Sequence, residues 1–538
     1  MRISAVMCIA CLLTHALWAQ GNAAWKASSA TGYYNDGANW STDVMPTNAA
    51  VATLSATGSY TISAPAGGLV ENSTLFMLPN NQPLSVTFDT TGTWWKKTAA
   101  NYPADWQAFG LSPTASIGQH IFNMESMSTA AERNVFFISN AVWRFQCNSQ
   151  AATNTFESGL FDFSYKGETN RTSANWMISG YGSPSIQRTL FKPGSRTIFD
   201  MLSIRGSAAD QLTVFEGGLH EFYGRIAVKC DSPNAGVPDT LLLFTGTSSN
   251  LLYGGLQLCN ATGNRGILRM EQTAYARLGY VDAGLATGSI GLLLVTNNAV
   301  AHNMGGDITL GAATRSRGDL VLAGNGYYRS TGYGVIKLAA GATSTGLLTV
   351  VENAQMSLEN TQGITIGMHT NILAEMAVKD TAQVTVSGAA VIAVGASAAT
   401  GSLTLANSAL LNMPGSGNLN LGTAAGSVGV LSLKDNARLI RANANDIRIG
   451  TTSGATGIVT VADNSALTVQ GTSGTVTLAG GNSAVGYLNI TSTATVSIAG
   501  SLIICPNAYG YGEVNLSGNS RMDLGTNGTI TIASSDNA

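Results

Sequence analysis

Beyond about residue 210 the chain is written in short runs of alternating apolar and polar residues, and the runs repeat. Rows aligned on an apolar-x-apolar pair begin at Asp210, Asp239, Gly266, Gly291, Gly318, Gly346, Ala374, Gly401, Gly429, Gly457, Gly486 and Gly512. Successive rows lie 25 to 29 residues apart. A period in this range marks a solenoid, a propeller or an array. The second and fourth positions after each start are apolar throughout. They are Leu212/Val214, Leu241/Leu243, Leu268/Met270, Leu293/Val295, Leu320/Leu322, Leu348/Val350, Met376/Val378, Leu403/Leu405, Leu431/Leu433, Val459/Val461, Leu488/Ile490 and Val514/Leu516. A period of two places each pair on one face of a strand. Thr213, Thr349, Thr404, Ser432, Thr460, Asn489 and Asn515 lie between them and are expected to face outward.

Two more short strands complete each row. One reads small-x-apolar-x-apolar, as in Ala354-x-Met356-x-Leu358 and Ala382-x-Val384-x-Val386. The other reads apolar-x-apolar-Gly, as in Ile364-x-Ile366-Gly367 and Ile392-x-Val394-Gly395. Asn353, Asp435-Asn436 and Asp463-Asn464, with the glycine after the third strand, suit corners that need positive φ. Three strands and three corners make one triangular coil. Stacked coils pair each strand in parallel with its counterpart about 4.8 Å away. One coil cannot bury its own inner face, so only the stack is stable. Propeller blades need longer repeats, and leucine-rich repeats need an Asn ladder that is absent. The expectation is all-β: a right-handed parallel β-helix, its hand taken from the rule for parallel crossovers.

Composition divides the chain. All eight Trp lie at or before Trp176, and ten of twelve Pro at or before Pro238. We therefore expect a signal peptide over 1–19, a β-rich capping zone with early coils over 20–184, and the repeat array over 185–538. Met1-Arg2, the apolar run Ile3 to Trp18 and the small Ala19 form the signal pattern, with cleavage after Ala19 or, second, Ala23. No later stretch is long and apolar enough to span a membrane. Charged residues are 11% of the chain and the net charge is -3, which excludes a strong electrostatic pull toward nucleic acid. Of six Cys, Cys147, Cys230, Cys259 and Cys505 remain after the signal, too few for a disulfide framework. Cys259 and Cys505 fall where other rows carry the corner glycine. Cys230 and Cys259 lie on neighbouring rows and are either bonded or both free. Cys505 is expected to be unpaired.

The repeats, as in Gly457-Ile-Val-Thr-Val-Ala-Asp-Asn-Ser-Ala-Leu-Thr-Val, resemble those of autotransporter-associated β-strand repeat proteins and similar secreted bacterial β-solenoids. The opening Trp25 … Gly37-Ala38-Asn39-Trp40-Ser41 … Pro46 resembles the segment such proteins carry after the signal. The resemblance implies a passenger-like β-helix, exported to the cell surface or beyond in a bacterium. It departs at the end. Thr529-Ile530-Thr531-Ile532-Ala533 stay in repeat register with no β-barrel pattern after them. The expectation is either a piece of a longer protein or an end covered by further solenoid.

Chemistry is sparse. The densest charge runs from Arg188 to Asp231, with 11 charged residues in 44. Glu221, Arg225 and Lys229 within it could line a shallow sugar groove, or form a solvated ion-paired face. Trp94, Trp95 and Trp106 could stack on sugar rings, or fill the cap core. The scattered His and the absence of a Cys/His cluster point to no metal, and no cofactor is implied. The function expected is a secreted or surface structural, adhesin-like solenoid without catalysis. The alternative is a carbohydrate-active β-helix. Expected partners are polysaccharide, cell-envelope components or further β-solenoid segments.

Overall fold

Alternation of one buried and one solvated side chain needs a strand with only one face covered, and stacked coils supply that cover. The computed structural model describes residues 23–26, 31–34, 36–45, 187–206, 211–230, 240–359, 362–443 and 445–532, together with the strands between 51 and 180. Every strand pairing among them is parallel. The one short helix among the described residues is a 3₁₀ turn at Gly37–Asn39. The protein is an all-β parallel solenoid built from two compact units: residues 1–224 with 236–238, and residues 225–235 with 239–538.

In the second unit, eleven coils of three strands run from Thr240 to Ile532. Thr345–Val350, Gln355–Leu358 and Gly363–Ile366 make one of them. From Gly266 onward the expected register holds residue for residue. Gly266 pairs with Gly291, Gly291 with Gly318, Gly318 with Gly346, and so on to Gly486 with Gly512. Leu348, Val350, Met356, Leu358, Ile364 and Ile366 are buried, as the alternation requires. The row-start glycines answer to space. A Cβ on Gly429 would sit 2.3 Å from the Val394 carbonyl oxygen and 2.4 Å from the Gly422 nitrogen. Asp435 and Asp463 take the positive φ expected at the first corner, but in the row of Asn353 it falls on Glu352. The corner residues also stitch the stack. Glu352 N–H donates to Asp380 (3.0 Å), Asn407 N–H to Asp435 (3.1 Å) and Asp435 N–H to Asp463 (3.1 Å).

Two rows depart from the expected parity. Leu242 and Phe244, not Leu241 and Leu243, are the fully buried pair, and they lie opposite Leu268 and Met270. Thr213 and Phe215 face inward, so Thr213 is not an outward residue. Phe215 stacks on Phe191 at 4.4 Å, and Phe191 on Phe156 at 4.6 Å, so an aromatic ladder sets the parity. In the last coil Val514 and Leu516 keep register with Leu488 and Ile490. Leu516 is nonetheless 49% exposed, because none of the described residues stacks on it.

In the first unit, one ladder runs through Ala23–Ala24, Val51–Leu54, Thr74–Met77, Phe109–Leu111, Val142–Cys147, Asn175–Gly180 and Met201–Gly206. Parallel coils therefore begin close to the start of the described chain. The Trp25 … Trp40 segment folds into an aromatic knot. The Trp40 ring meets Trp25 edge-on at 5.2 Å and Tyr34 at 4.8 Å, and its Nε1 donates to the Tyr34 carbonyl at 2.7 Å. Asn39 donates to the Tyr33 carbonyl, and Lys26 pairs with Asp43.

Candidate functional site

The second strand of each coil turns two residues outward, and parallel pairing stacks them into columns. In the second unit one column runs Leu251, Arg277, His302, Arg329, Ser357. Beside it runs Ser249, Tyr275, Val300, Tyr327, Gln355. Tyr253, Met304, Thr331 and Glu359 follow these strands in the chain. Alternation explains the placement: Ala276, Leu278, Ala301, Asn303, Tyr328 and Ser330 take the inward positions and are buried.

The outward groups form a connected set. The Arg277 guanidinium lies over the Tyr253 ring, 5.3 Å from its centroid. Tyr275 Oη and His302 Nδ1 are 3.3 Å apart, and His302 Nε2 is 3.0 Å from Thr331 Oγ1. Arg329 holds Glu359 with two hydrogen bonds of 3.0 and 2.8 Å. Partial burial, then the charges of Arg329 and Arg277, hold the His302 imidazole below its ordinary pKa of 6.5. The hydrogen bond from Arg329 holds Glu359 below the usual carboxylate range. That carboxylate is thus occupied as an acceptor, while Arg277 has no carboxylate partner among the described residues. The outward elements are a half-buried basic group over an exposed aromatic ring, a half-buried imidazole and two further half-buried Tyr rings. Such a surface binds by stacking and charge-assisted hydrogen bonds.

The third strands carry a smaller charged group. Burial pushes the Asp282 carboxyl up, with Asp307 adding to the effect. Burial acts the same way on Asp307, but hydrogen bonds from Lys337 and the Val335 N–H hold it low. No group of three or more His, Cys, Asp or Glu among the described residues could hold a metal ion. No helix among them is long and apolar enough to cross a membrane.

The residues singled out from sequence fare differently. Glu221 pairs with Arg196 at 3.0 Å, and Lys192 with Glu216 at 2.9 Å. This part of the charged segment is an ion-paired face. Arg225 is exposed. The Lys229 side chain, Trp94 and Trp106 lie outside the described residues, and Trp95 is described only as backbone paired with Phe136. Cys259 and Cys505 do occupy the positive-φ corner, at 62° and 51°. Cys505 is a free, buried thiol. Val228 pairs with Leu258, which puts Cys259 on the coil next to the strand ending at Cys230, but the Cys230 side chain is outside the described residues.

Sequence reading did not find the Tyr253 to Glu359 face. Its touching pairs are 24 to 30 residues apart in sequence, and each member is unremarkable in its own row. Stacking the rows on their starts and reading down the outward positions would have shown it. Comparison with family models, with curated proteins and with solved structures finds no match.

Proposed function

We propose that the protein is an exported β-solenoid of the kind its repeats resemble, a surface or secreted adhesin-like scaffold without catalytic activity. The outward chemistry of the coils is the observation that supports this reading. Thr349, Thr404, Ser432, Thr460 and Asn489 sit half-buried between buried pairs and offer neutral hydroxyl and amide groups. Such groups favour strand pairing and solvation and transfer protons poorly near pH 7. Carboxylates beside them are tied to arginines: Glu271 to Arg269, Asp319 to Arg317, Asp446 to Arg448. Among the described residues, the Tyr253 to Glu359 surface gathers rings and basic groups and is suited to holding a partner. Export is supported by the signal pattern of residues 1–19.

The test is a glycan array combined with a lyase and hydrolase screen on the secreted protein. Retention of ligand without products is expected. Turnover abolished by Glu221→Gln or Lys229→Ala would replace this reading with the carbohydrate-active one. Secreted material whose first residue is Met1 would remove the cleaved signal.

A further inference from the structure

We propose that Tyr253, Tyr275, Arg277, His302 and Tyr327 form a binding site for an acidic polysaccharide laid along the direction in which the coils stack. The proposal rests on the scaffold reading above and names the ligand of that scaffold. Four observations lead to it.

The face is local. Further along the array the first column carries Ser357, Thr385, Asn412, Ile440, Thr468, Ser497 and Asp523, and the second Gln355, Gln383, Leu410, Arg438, Ala466, Thr495 and Arg521. Isolated charges recur there, as at Arg438 and Arg521, but among the described residues no second run of rings and basic groups follows on successive rungs. Nothing in the coil geometry calls for Tyr, Arg and His on three successive rungs.

The basic groups are stacked at a cost. Arg277, His302 and Arg329 lie on consecutive rungs about 4.8 Å apart. A protonated His302 would face a guanidinium on each neighbouring rung, and like charges placed opposite one another in a sheet repel. Glu359 neutralises Arg329, but Arg277 meets only the Tyr253 ring among the described residues. An anionic group between Arg277 and His302 would pair with the guanidinium and offset that repulsion once the imidazole is protonated.

The rings flank that anion position. Tyr253 is 43% exposed, and Tyr275 and Tyr327 stand in the adjacent column on alternate rungs. A sugar acid offers both parts together: a ring face of C–H groups for the tyrosine and a carboxylate or sulfate for the arginine. An acidic peptide offers the charge without a stacked ring. The alternate-rung repeat of the tyrosines also matches a polymer of repeating rings better than one small anion.

The imidazole adds a proton linkage. His302 faces Arg277 and Arg329 on its neighbouring strands, Tyr275 and Thr331 at hydrogen-bond distance, and Glu359 beyond Arg329. These surroundings favour its neutral form. A bound anion favours the imidazolium, so binding should tighten as the pH falls.

The test titrates the full chain, by calorimetry, with three acidic glycans: oligogalacturonate, oligomannuronate and a chondroitin sulfate oligosaccharide. Methyl-esterified oligogalacturonate and poly-glutamate are the comparisons. At least one acidic glycan should bind well above the ester. Arg277→Ala should weaken acid binding by about tenfold and leave ester binding unchanged. Tyr253→Ala should weaken both, and Thr468→Ala, outside the face, neither. Affinity should rise between pH 7.5 and pH 5.5 in the wild type and stay flat in His302→Gln. These variants truncate exposed or half-buried outward side chains, so unchanged thermal unfolding is the expected control. Equal binding of acid and ester, insensitivity to Arg277→Ala, or no binding of any of the three glycans would overturn the proposal. Poly-glutamate binding as tightly as the glycans would reassign the face to an acidic protein segment. Products in the same samples would instead remove the scaffold reading. Retention of only neutral glycans would leave that reading standing and remove this one.

Discussion

His220 is a pH sensor of the first unit's stability, and its effect can be worked out from its surroundings. The imidazole is fully buried between the Phe215 ring (4.6 Å) and the Phe191 ring (6.0 Å). Its Nε2 lies 2.6 Å from the Gly217 carbonyl oxygen, which can only accept, so Nε2 carries the proton. Nδ1, 2.9 Å from Thr197 Oγ1, then accepts from the hydroxyl. Both hydrogen bonds suit the neutral ring. Burial lowers the pKa from 6.5 to about 4, against the smaller opposing effect of the Gly217 carbonyl. The folded value is below the unfolded one, so the unfolded chain takes up the proton first as the pH drops. The stabilisation is complete above pH 6.5 and is lost as the pH falls from 6.5 to about 4. At pH 4 the loss is roughly 3 kcal/mol, at about 1.4 kcal/mol for each tenfold difference in proton affinity. Urea unfolding, followed by fluorescence of the first unit at pH 7 and pH 4, measures it. Carboxylates titrate over part of the same range, so the control is His220→Gln. The variant should be less stable at pH 7 and should lose about 3 kcal/mol less than the wild type on acidification. Equal losses in the two proteins would refute the reasoning, as would an NMR titration placing the folded His220 midpoint near 6.5.

Three further outcomes are expected. Arg441 is buried with its guanidinium donating to the carbonyls of Met413 (2.6 Å), Gly415 (2.7 Å) and Gly417 (2.5 Å). Arg441→Ala strands three acceptors and should cost about 3 kcal/mol or more in urea melts. Arg441→Lys should recover only part of that, since an ammonium cannot reproduce the planar fork, and a lysine variant as stable as wild type would contradict this account. Gly422 and Gly454 both have positive φ, but a Cβ on Gly422 would lie 2.5 Å from the Thr456 carbonyl oxygen, while Gly454 has nothing within 4 Å. Gly454→Ala should cost about 1 to 2 kcal/mol for its backbone conformation alone, and Gly422→Ala clearly more. The reverse order in thermal melts would show that the stack moves aside at Gly422. Burial also raises the Cys505 thiol pKa, so a thiol reagent should label Cys505 slowly in the folded chain and fully in urea without reductant. Mass spectrometry of the peptide containing Cys505 reads both, and an unlabelled residue in urea would show that it is bonded.

The coil was legible because its cause is local. A strand with one covered face must alternate, and a corner in the left-handed region favours Gly, Asn or Asp without requiring them, as Glu352 and Cys505 show. Rows such as Gly429-Val-Leu-Ser-Leu therefore carry both register and corners in their own residues. The parity of Thr240–Phe244 was not legible, because Leu241 to Phe244 are all apolar and alternation cannot choose between their faces. Phe244 settles inward opposite Met270, and Phe215 settles on Phe191, through contacts 24 to 26 residues away. Arg441 stands where other coils place Met413 and Val469, and only the corner carbonyls of the coil before it make a buried arginine stable there.

The candidate face belongs wholly to the second kind. Arg277, His302 and Arg329 are ordinary outward residues in three separate rows. Their chemistry exists only because parallel pairing sets those rows one rung apart, with Tyr253 under Arg277 and Glu359 across Arg329. Sequence alone determined the repeating unit, since the unit is written in every row. Tertiary structure decided which outward side chains become neighbours, since adjacency across coils depends on the register of the stack and on no residue by itself.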